Sequence, residues 1–420
     1  MGTIQVVFMT VLVFFVIVTI HEWGHFFFAK RAGILVREFA IGFGPKLLSV
    51  KRGETRYTLR LIPAGGFVRM AGEDPEIVEV QEGQTVAVRL KDDKVTRIYL
   101  DRLDERSGAV RGEVEAVDLE RAMSITLNVE GDSERYSVNP QALVISRGKE
   151  TQVAPIDRHF GSKPLRHRAM TIFAGPMMNF ILAFVLFAAY VQMAGVAEKL
   201  MVGSVTSGSP AESVQLQKGD VLVAVNGEEI GTNFGRMVDV IGKSVDKTVT
   251  LDIIRNGQSM QLNVTPLADD KGIGKIGVTP EYELRNATFG ETITRSATLM
   301  KDMTVYIFDG FKMLITGQFK LDDIGGPVRT AEVTSEIARQ GIVQLTSWTA
   351  LLSLYLGIFN LLPIPALDGS RLIFLGLEAV RRRPLDPSKE SMVHFVGFAM
   401  LMLLMLVVTY NDILRLVRGE

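Results

Sequence analysis

The sequence has no cysteine among its 420 residues. That excludes disulfides, thiolate nucleophiles, iron–sulfur clusters and cysteine-ligated zinc. Histidine is scarce too, at five residues, so any metal must be held by a few imidazoles together with Asp and Glu. Neither sign of charge is in excess: 46 Lys and Arg stand against 47 Asp and Glu, a formal net charge of −1. With no basic surplus to neutralise phosphates, nucleic acid is not an expected partner. Internal repeats and low-complexity tracts are also lacking. What the chain does have is apolar character in long stretches. Its mean hydropathy is +0.22 although 22% of its residues are charged, as happens when uncharged runs are segregated from ordinary soluble segments.

Four runs carry no Asp, Glu, Lys or Arg: residues 1–20, 169–197, 340–367 and 392–411. Each reaches the roughly 20 residues that a membrane-spanning helix needs. The first lacks a basic n-region and a small-residue cleavage site, and it continues into His21-Glu22-Trp23-Gly24-His25 and a Phe triplet, so it reads as a retained helix over about residues 4–29 rather than a signal peptide. Lys30, Arg31, Arg37, Lys46, Lys51 and Arg52 follow this run. Lys163, Arg166 and Arg168 precede the second, and Arg381, Arg382, Arg383 and Lys389 lie between the third and fourth. With four spans all three basic clusters fall on one side, which the positive-inside rule makes cytoplasmic. Both termini and residues 198–339 are then extracytoplasmic, with Arg415 and Arg418 as an outnumbered dissent.

The segments between the runs divide further. Arg52-Gly53-Glu54 joins two β-prone stretches, predicting a hairpin in a cytoplasmic loop over 31–76. Residues 77–167 show short strand-like stretches and read as a small β-rich cytoplasmic insert. Residues 198–284 form another unit, in which Gly208-Ser-Pro-Ala-Glu212 and Lys218-Gly-Asp-Val-Leu-Val-Ala-Val-Asn-Gly227 resemble a bacterial PDZ domain. By that resemblance its peptide-binding loop lies at Ile276, Gly277 and Val278, and the unit either captures an extended peptide at a strand edge or only blocks access. Gly272-Ile-Gly274-Lys-Ile-Gly277 matches GxGxxG but precedes Val-Thr-Pro rather than a helix, so a dinucleotide site is rejected. Within 285–339, apolar residues at helical spacing from Ile293 to Leu314 predict an amphipathic helix, lying on the outer membrane face or packed on a neighbour.

The chemistry concentrates in His21-Glu22-Trp23-Gly24-His25. In HExxH on a helix, the imidazoles at i and i+4 share a face and reach one metal, and the intervening Glu is placed to take a proton from water. Polar groups at membrane depth are expensive unless paired, hydrated or ligated. Zinc needs a third protein ligand. Glu38, Glu54 and Glu73 are near in sequence, but Asp368 is the better candidate. It is the first charge after the third run and lies at the depth expected for His21 and His25. Pro363 and Pro365 break the helix just before it, and unwound backbone at that depth is tolerated only inside protein or beside a wet cavity. His159, His167 and His394 read as interfacial or structural.

HEWGH, the following GFGP, FAGPMMNF at 173–180, the PDZ-like unit and NLLPIPALDG at 360–369 together resemble the bacterial site-2 protease family of intramembrane zinc metalloproteases, most of all the regulator of sigma-E protease type. The resemblance spans nearly the whole chain apart from the insert. It implies one Zn²⁺ held by His21, His25 and Asp368, Glu22 as catalytic base, and substrate positioning by Asn360, Pro363 and Pro365. It also implies a membrane-associated β-loop around 46–69 that presents substrate in extended form. Pro176 and Asn179 match the family's second-helix motif. Two departures stand out. Gly369-Ser370 replaces the frequent Gly-Gly after the aspartate, and one PDZ-like unit stands where the proteobacterial type has two, as in the Gram-positive branch.

The expected fold is therefore a polytopic α-helical membrane protein with four transmembrane helices (1–30, 168–197, 340–376 and 392–412), the β-hairpin loop, the insert, one extracytoplasmic PDZ domain, a cytoplasmic loop over 377–391 and an extracytoplasmic tail over 413–420. The expected activity is hydrolysis of peptide bonds in transmembrane segments of single-span proteins in the cell membrane, with trimmed anti-sigma factors and signal-peptide remnants as the implied substrates. The alternatives are a proton- or ion-coupled transporter using the same His and Glu, and a non-catalytic PDZ membrane scaffold. Four spans without an inverted repeat weigh against the first, and an intact Glu22 against the second.

Overall fold

The computed structural model describes residues 2–73, 80–270, 272–318, 325–383, 385 and 387–418. The expected boundary between hairpin loop and insert, at 76/77, lies outside the described residues. The chain folds as two compact units, one of Met1–Phe187 with Leu299–Glu420 and the other of Ala188–Thr298.

The first unit opens with α1 (Thr3–Arg31), apolar nearly all round and closed by Lys30 and Arg31, cations that suit the negative end of the helix dipole. Strands β1 (Val36–Arg52) and β2 (Thr55–Met70) follow. They form more than a plain hairpin. Arg52 pairs with Thr55 and Lys46 with Arg60 near the turn, but residues 38–41 pair both with 56–59 and with 66–69. Each strand is broken by bulges, so the ribbon folds back on itself. Its outer part leaves Phe43, Leu47, Leu48, Val50, Leu61 and Ile62 exposed.

The insert contains β3 (Thr85–Lys91), β4 (Lys94–Tyr99), β5 (Val110–Asp118), β6 (Ser124–Val129), β7 (Asp132–Ser146) and β8 (Lys149–Gln152). The strand order is β4-β3-β5-β6-β7-β8, and β4 also pairs with β7. Five strands thus close on themselves, which removes the open edges an isolated sheet would present. Alternate residues such as Val86, Val88, Ile125 and Leu127 fill the interior.

Helix α2 (Leu165–Ala194) starts in the first unit and ends in the second. The second unit continues with β9 (Val196–Val205), α3 (Pro210–Ser213), β10 (Val221–Val225), β11 (Glu228–Glu229), α4 (Phe234–Gly242), β12 (Val249–Arg255), β13 (Gln258–Val264), β14 (Leu267–Ala268), β15 (Gly274–Lys275) and β16 (Val278–Arg285). The main sheet runs β13-β12-β10-β9-β16. Its core, including Leu200, Val202, Met237, Leu251 and Ile253, is fully buried. Ser209 and Asn233 cap α3 and α4 by accepting the Glu212 and Arg236 N–H groups.

Helix α5 (Phe289–Ile315) returns the chain to the first unit. There Leu299, Met300, Met303 and Ile307 pack with Ala183 and Phe187 of α2. Then come α6 (Pro327–Gln340), α7 (Ile342–Asn360), α8 (Asp368–Arg381) and α9 (Pro387–Arg418). Within the 340–376 segment, where Pro363 and Pro365 were expected to break the helix, the structure has two helices, because neither proline can donate a ladder hydrogen bond and residues 361–367 form turns. Helix α6 is too polar to register as more than linker, yet its Ala338 packs with Val6, Val13 and Ile17 of α1. Among the described residues, α1, α2, α7 and the Lys389–Arg418 part of α9 are long and apolar enough to cross a membrane.

Candidate metal centre

His21, Glu22 and His25 are 7%, 8% and 6% exposed. The imidazoles sit one turn apart on α1, with their rings nearly perpendicular at 4.8 Å and their Nε2 atoms 3.2 Å from each other. Asp368, the first residue of α8, brings Oδ2 to 3.2 Å from His21 Nε2 and 3.4 Å from His25 Nε2. That oxygen is sealed from solvent and faces the two imidazole nitrogens. A tetrahedral zinc with bonds of about 2.0–2.1 Å separates its donors by about 3.3 Å. The three donor atoms therefore fit zinc in chemistry and in spacing.

The far side of each imidazole is engaged. His25 Nδ1 lies 2.9 Å from the Thr171 carbonyl, so it donates there, and this leaves Nε2 as the coordinating atom. His21 Nδ1 lies 3.2 Å from the side-chain amide of Asn179, and the Asn179 backbone carbonyl in turn accepts from Ser353 of α7 at 2.9 Å. Helix α2 thus orients both imidazoles. It can do so only by close approach: a Cβ on Gly175 would fall 2.2 Å from His25 Nε2. Likewise, a Cβ on Gly66 would fall 2.7 Å from Glu22 Cγ, so the last stretch of β2 runs directly beside Glu22.

The other carboxylates weighed as ligands are each committed to a cation. Glu38 accepts from Thr58 at 2.8 Å and Arg60 at 3.0 Å. Burial alone would raise its pKa, but these bonds outweigh that and hold it below the usual carboxylate range. Glu54 receives Arg158 at 2.6 and 2.7 Å, bonds that pull its pKa down to about 2. Glu73 pairs with Arg371, whose guanidinium lies 5.5 Å over the Phe160 ring.

The structure places Asn360 at the last residue of α7 and Pro363 and Pro365 in the break before Asp368. Ile276 and Gly277 belong to the second unit, directly before β16, and Val278 is the first residue of that strand. There the Ile276 and Gly277 carbonyls accept from Ala211 at 2.9 Å and Thr206 at 2.8 Å. His159 bonds the Ala154 carbonyl at 2.9 Å. Sequence reasoning missed Thr171, Gly175 and Gly66. The Gly-Pro at 175–176 and the Gly-Gly at 65–66 were the available signals.

Two imidazoles and a neighbouring Glu on α1, a helix of membrane-spanning length, joined by a carboxylate from the first residue of the short helix α8, are the pattern of a membrane zinc metalloprotease. Peptidase family M50 matches residues 9–404, and the chain belongs to that family. It is 44% identical to the zinc metalloprotease RasP of Geobacillus kaustophilus, over 98% of each chain. It is 43% identical to the regulator of sigma-W protease RasP of Bacillus subtilis, over 97% of each. The probable protease eep of Enterococcus faecalis is 39% identical, over 96% of this chain and 98% of its own. A solved PDZ domain of an SdrC-like protein from Listeria monocytogenes matches 20% of this chain and 90% of its own, at 25% identity with a TM-score of 0.19. The chain is thus a multi-pass membrane zinc metalloprotease of site-2 protease type, acting in regulated intramembrane proteolysis.

Proposed function

We propose that His21, His25 and Asp368 hold one Zn²⁺, that Glu22 is the catalytic base, and that the enzyme cuts single-span membrane proteins within their transmembrane segments. The convergence of two Nε2 atoms and Oδ2, mutually 3.2–3.4 Å apart, carries this reading. Bound there, zinc supplies a Lewis acid that polarises a carbonyl and lowers the pKa of water. Glu22 takes the proton from the attacking water and delivers it to the leaving amine nitrogen. Thr171 and Asn179 keep the imidazoles in the orientation that serves this. The flanking helices exclude bulk water, which strengthens each electrostatic contact in the site.

A helical substrate hides its carbonyls, so the segment to be cut must be extended. The β2 stretch beside Glu22 and the unwound residues 361–367 suit that task, with Asn360, Pro363 and Pro365 positioning the substrate. The name of the Bacillus relative, a regulator of sigma-W protease, favours anti-sigma factors as substrates, and remnant signal peptides have the same single-span chemistry. The basic residues flanking the spans favour an active site near the cytoplasmic face, with both termini and a PDZ domain over 198–284 outside. The six-stranded sheet with two short helices in that segment supports the PDZ assignment.

The test compares wild type with Glu22→Gln, purified in detergent, for zinc content and for cleavage of a single-span substrate. We expect about one zinc in both proteins and cleavage only in the wild type. Cleavage by Glu22→Gln would refute the assigned base.

A further inference from the structure

The turn that delivers Asp368 to the site is held in an unfavourable backbone conformation. Ala366, two residues before Asp368, has φ +76°, in the left-handed region that residues with a Cβ rarely enter. Such a conformation persists only where the surroundings enforce it. The turn is closed by its own hydrogen bond, from the Leu367 N–H to the Ile364 carbonyl at 3.1 Å, with Pro365 and Ala366 as its central residues, and it is held further by contacts from α9, which contributes none of the three donor atoms. The Ala366 N–H donates to His394 Nδ1 at 3.1 Å. One turn along, a Cβ on Gly397 would lie 2.2 Å from Pro365 Cβ and 2.8 Å from the Pro365 carbonyl, so α9 can press on the turn only because that residue is glycine. Residues three apart share a helix face, and His394 and Gly397 bear on two consecutive residues of the turn.

His394 is itself held in place. The Phe374 ring of α8 meets it edge-on at 5.5 Å, and Glu390 Oε1, one turn earlier on α9, is 3.7 Å from Nε2. A neutral imidazole that accepts at Nδ1 carries its proton on Nε2, the atom facing Glu390.

We infer that His394 is a positioning residue for the metal centre: it anchors the Ala366 N–H, fixes the left-handed turn, and so sets where Asp368 projects as α8 begins. The inference rests on the metalloprotease reading of the His21, His25 and Asp368 cluster. His394 touches neither substrate nor metal, and acts through Ala366. A consequence separates this role from simple packing. Glycine enters the left-handed region without penalty, so a chain with glycine at 366 has less need of the anchor.

Two substitutions cross the possibilities. His394→Phe keeps a ring against Phe374 and removes the acceptor, whereas His394→Asn keeps an acceptor close to the Nδ1 position and removes the ring. Each is made in the full-length chain, with Ala366 and with Ala366→Gly, and zinc affinity is measured by competition with a chromogenic chelator. His394→Phe is expected to weaken zinc binding by about 10–100-fold, the loss usual for an outer partner of a metal ligand. His394→Asn should stay close to wild type, and Ala366→Gly should restore most of the loss in His394→Phe. If His394→Phe fails to fold with Ala366 in place, recovery of folded, zinc-binding protein in the Ala366→Gly chain supports the same conclusion. Wild-type affinity in His394→Phe, equal weakness in His394→Asn, or no recovery with Ala366→Gly would each overturn the inference. A folded wild type that takes up no zinc would instead remove the metalloprotease reading beneath it.

Discussion

Each compact unit contains an aspartate largely withdrawn from water, Asp220 in one and Asp368 in the other, and the two are used in opposite ways. Asp220, 2% exposed, receives Arg255 Nε at 2.7 Å, Arg255 Nη2 at 2.6 Å and the Gln217 N–H at 2.8 Å. Burial alone would raise its pKa, but these donors outweigh that and hold it below the usual carboxylate range. Both of its oxygens have partners, and the arrangement is complete as it stands. Asp368 instead aims Oδ2 at two imidazole nitrogens whose other ring atoms are already engaged. Three atoms able to donate lone pairs converge there with no protein cation between them. Burial of a carboxylate therefore does not mark a site in this molecule. Convergence of uncommitted electron-pair donors does, and the same criterion sets aside Glu38, Glu54 and Glu73.

Breaking the uncommitted aspartate should have the largest effect. Asp368→Asn keeps the volume but loses the anionic donor, and zinc affinity should fall by more than the about 10–100-fold lost on removing an outer partner, with cleavage of a single-span substrate abolished. Amide exchange in the 188–298 unit should not change. Zinc retained at full affinity would place the metal elsewhere.

Breaking the completed aspartate should reverse that pattern. Asp220→Ala leaves the Arg255 guanidinium without its carboxylate, and loss of one partner from a buried pair costs about 3–5 kcal/mol. Arg255 is 19% exposed along its side chain, so the low end of that range applies. Hydrogen exchange should accelerate in β10 and β12, while zinc content stays at the wild-type value. Lost zinc in this variant would erase the distinction between the two aspartates.

The smallest effect is expected at Glu54, another committed carboxylate. Its pKa falls from 4.5 to about 2 through the Arg158 hydrogen bonds. A lowered folded-state pKa means that its contribution is present above about pH 4.5 and is lost as the pH falls toward 2. Glu54 is partly exposed, so the contribution at neutral pH is below about 1 kcal/mol. Exchange protection at β8 should drop across that window in wild type, and Glu54→Gln should flatten the dependence. An unchanged profile in Glu54→Gln would show that the tie does not hold the insert to the hairpin.

Much of the site was legible because its pieces follow simple periods. His21 and His25 are i and i+4 on an uncharged run, and Asp368 announces itself as the first charge after another. What pattern reading could not supply depends on backbone geometry. The doubling of β1 and β2 arises from bulges that place residues 38–41 between two partner stretches, where the sequence shows only one turn. Helix α6 was hidden because its composition matches a linker, although Gly326 and Pro327 mark its start. His394 read only as interfacial or structural because nothing in the sequence reveals that Ala366, a residue type that avoids positive φ, adopts it. Gly175 and Gly66 matter only through what a Cβ would strike, and that emerges once the helices and the ribbon are assembled.

X-ray absorption at the zinc edge on purified Glu22→Gln protein, which keeps His21, His25 and Asp368, reads the metal centre directly. We expect a four-coordinate zinc with two imidazole nitrogens and oxygen donors at about 2.0–2.2 Å, and loss of one oxygen shell component when Asp368→Asn is added. A zinc with fewer than two imidazoles, or a spectrum unaffected by Asp368→Asn, would contradict it.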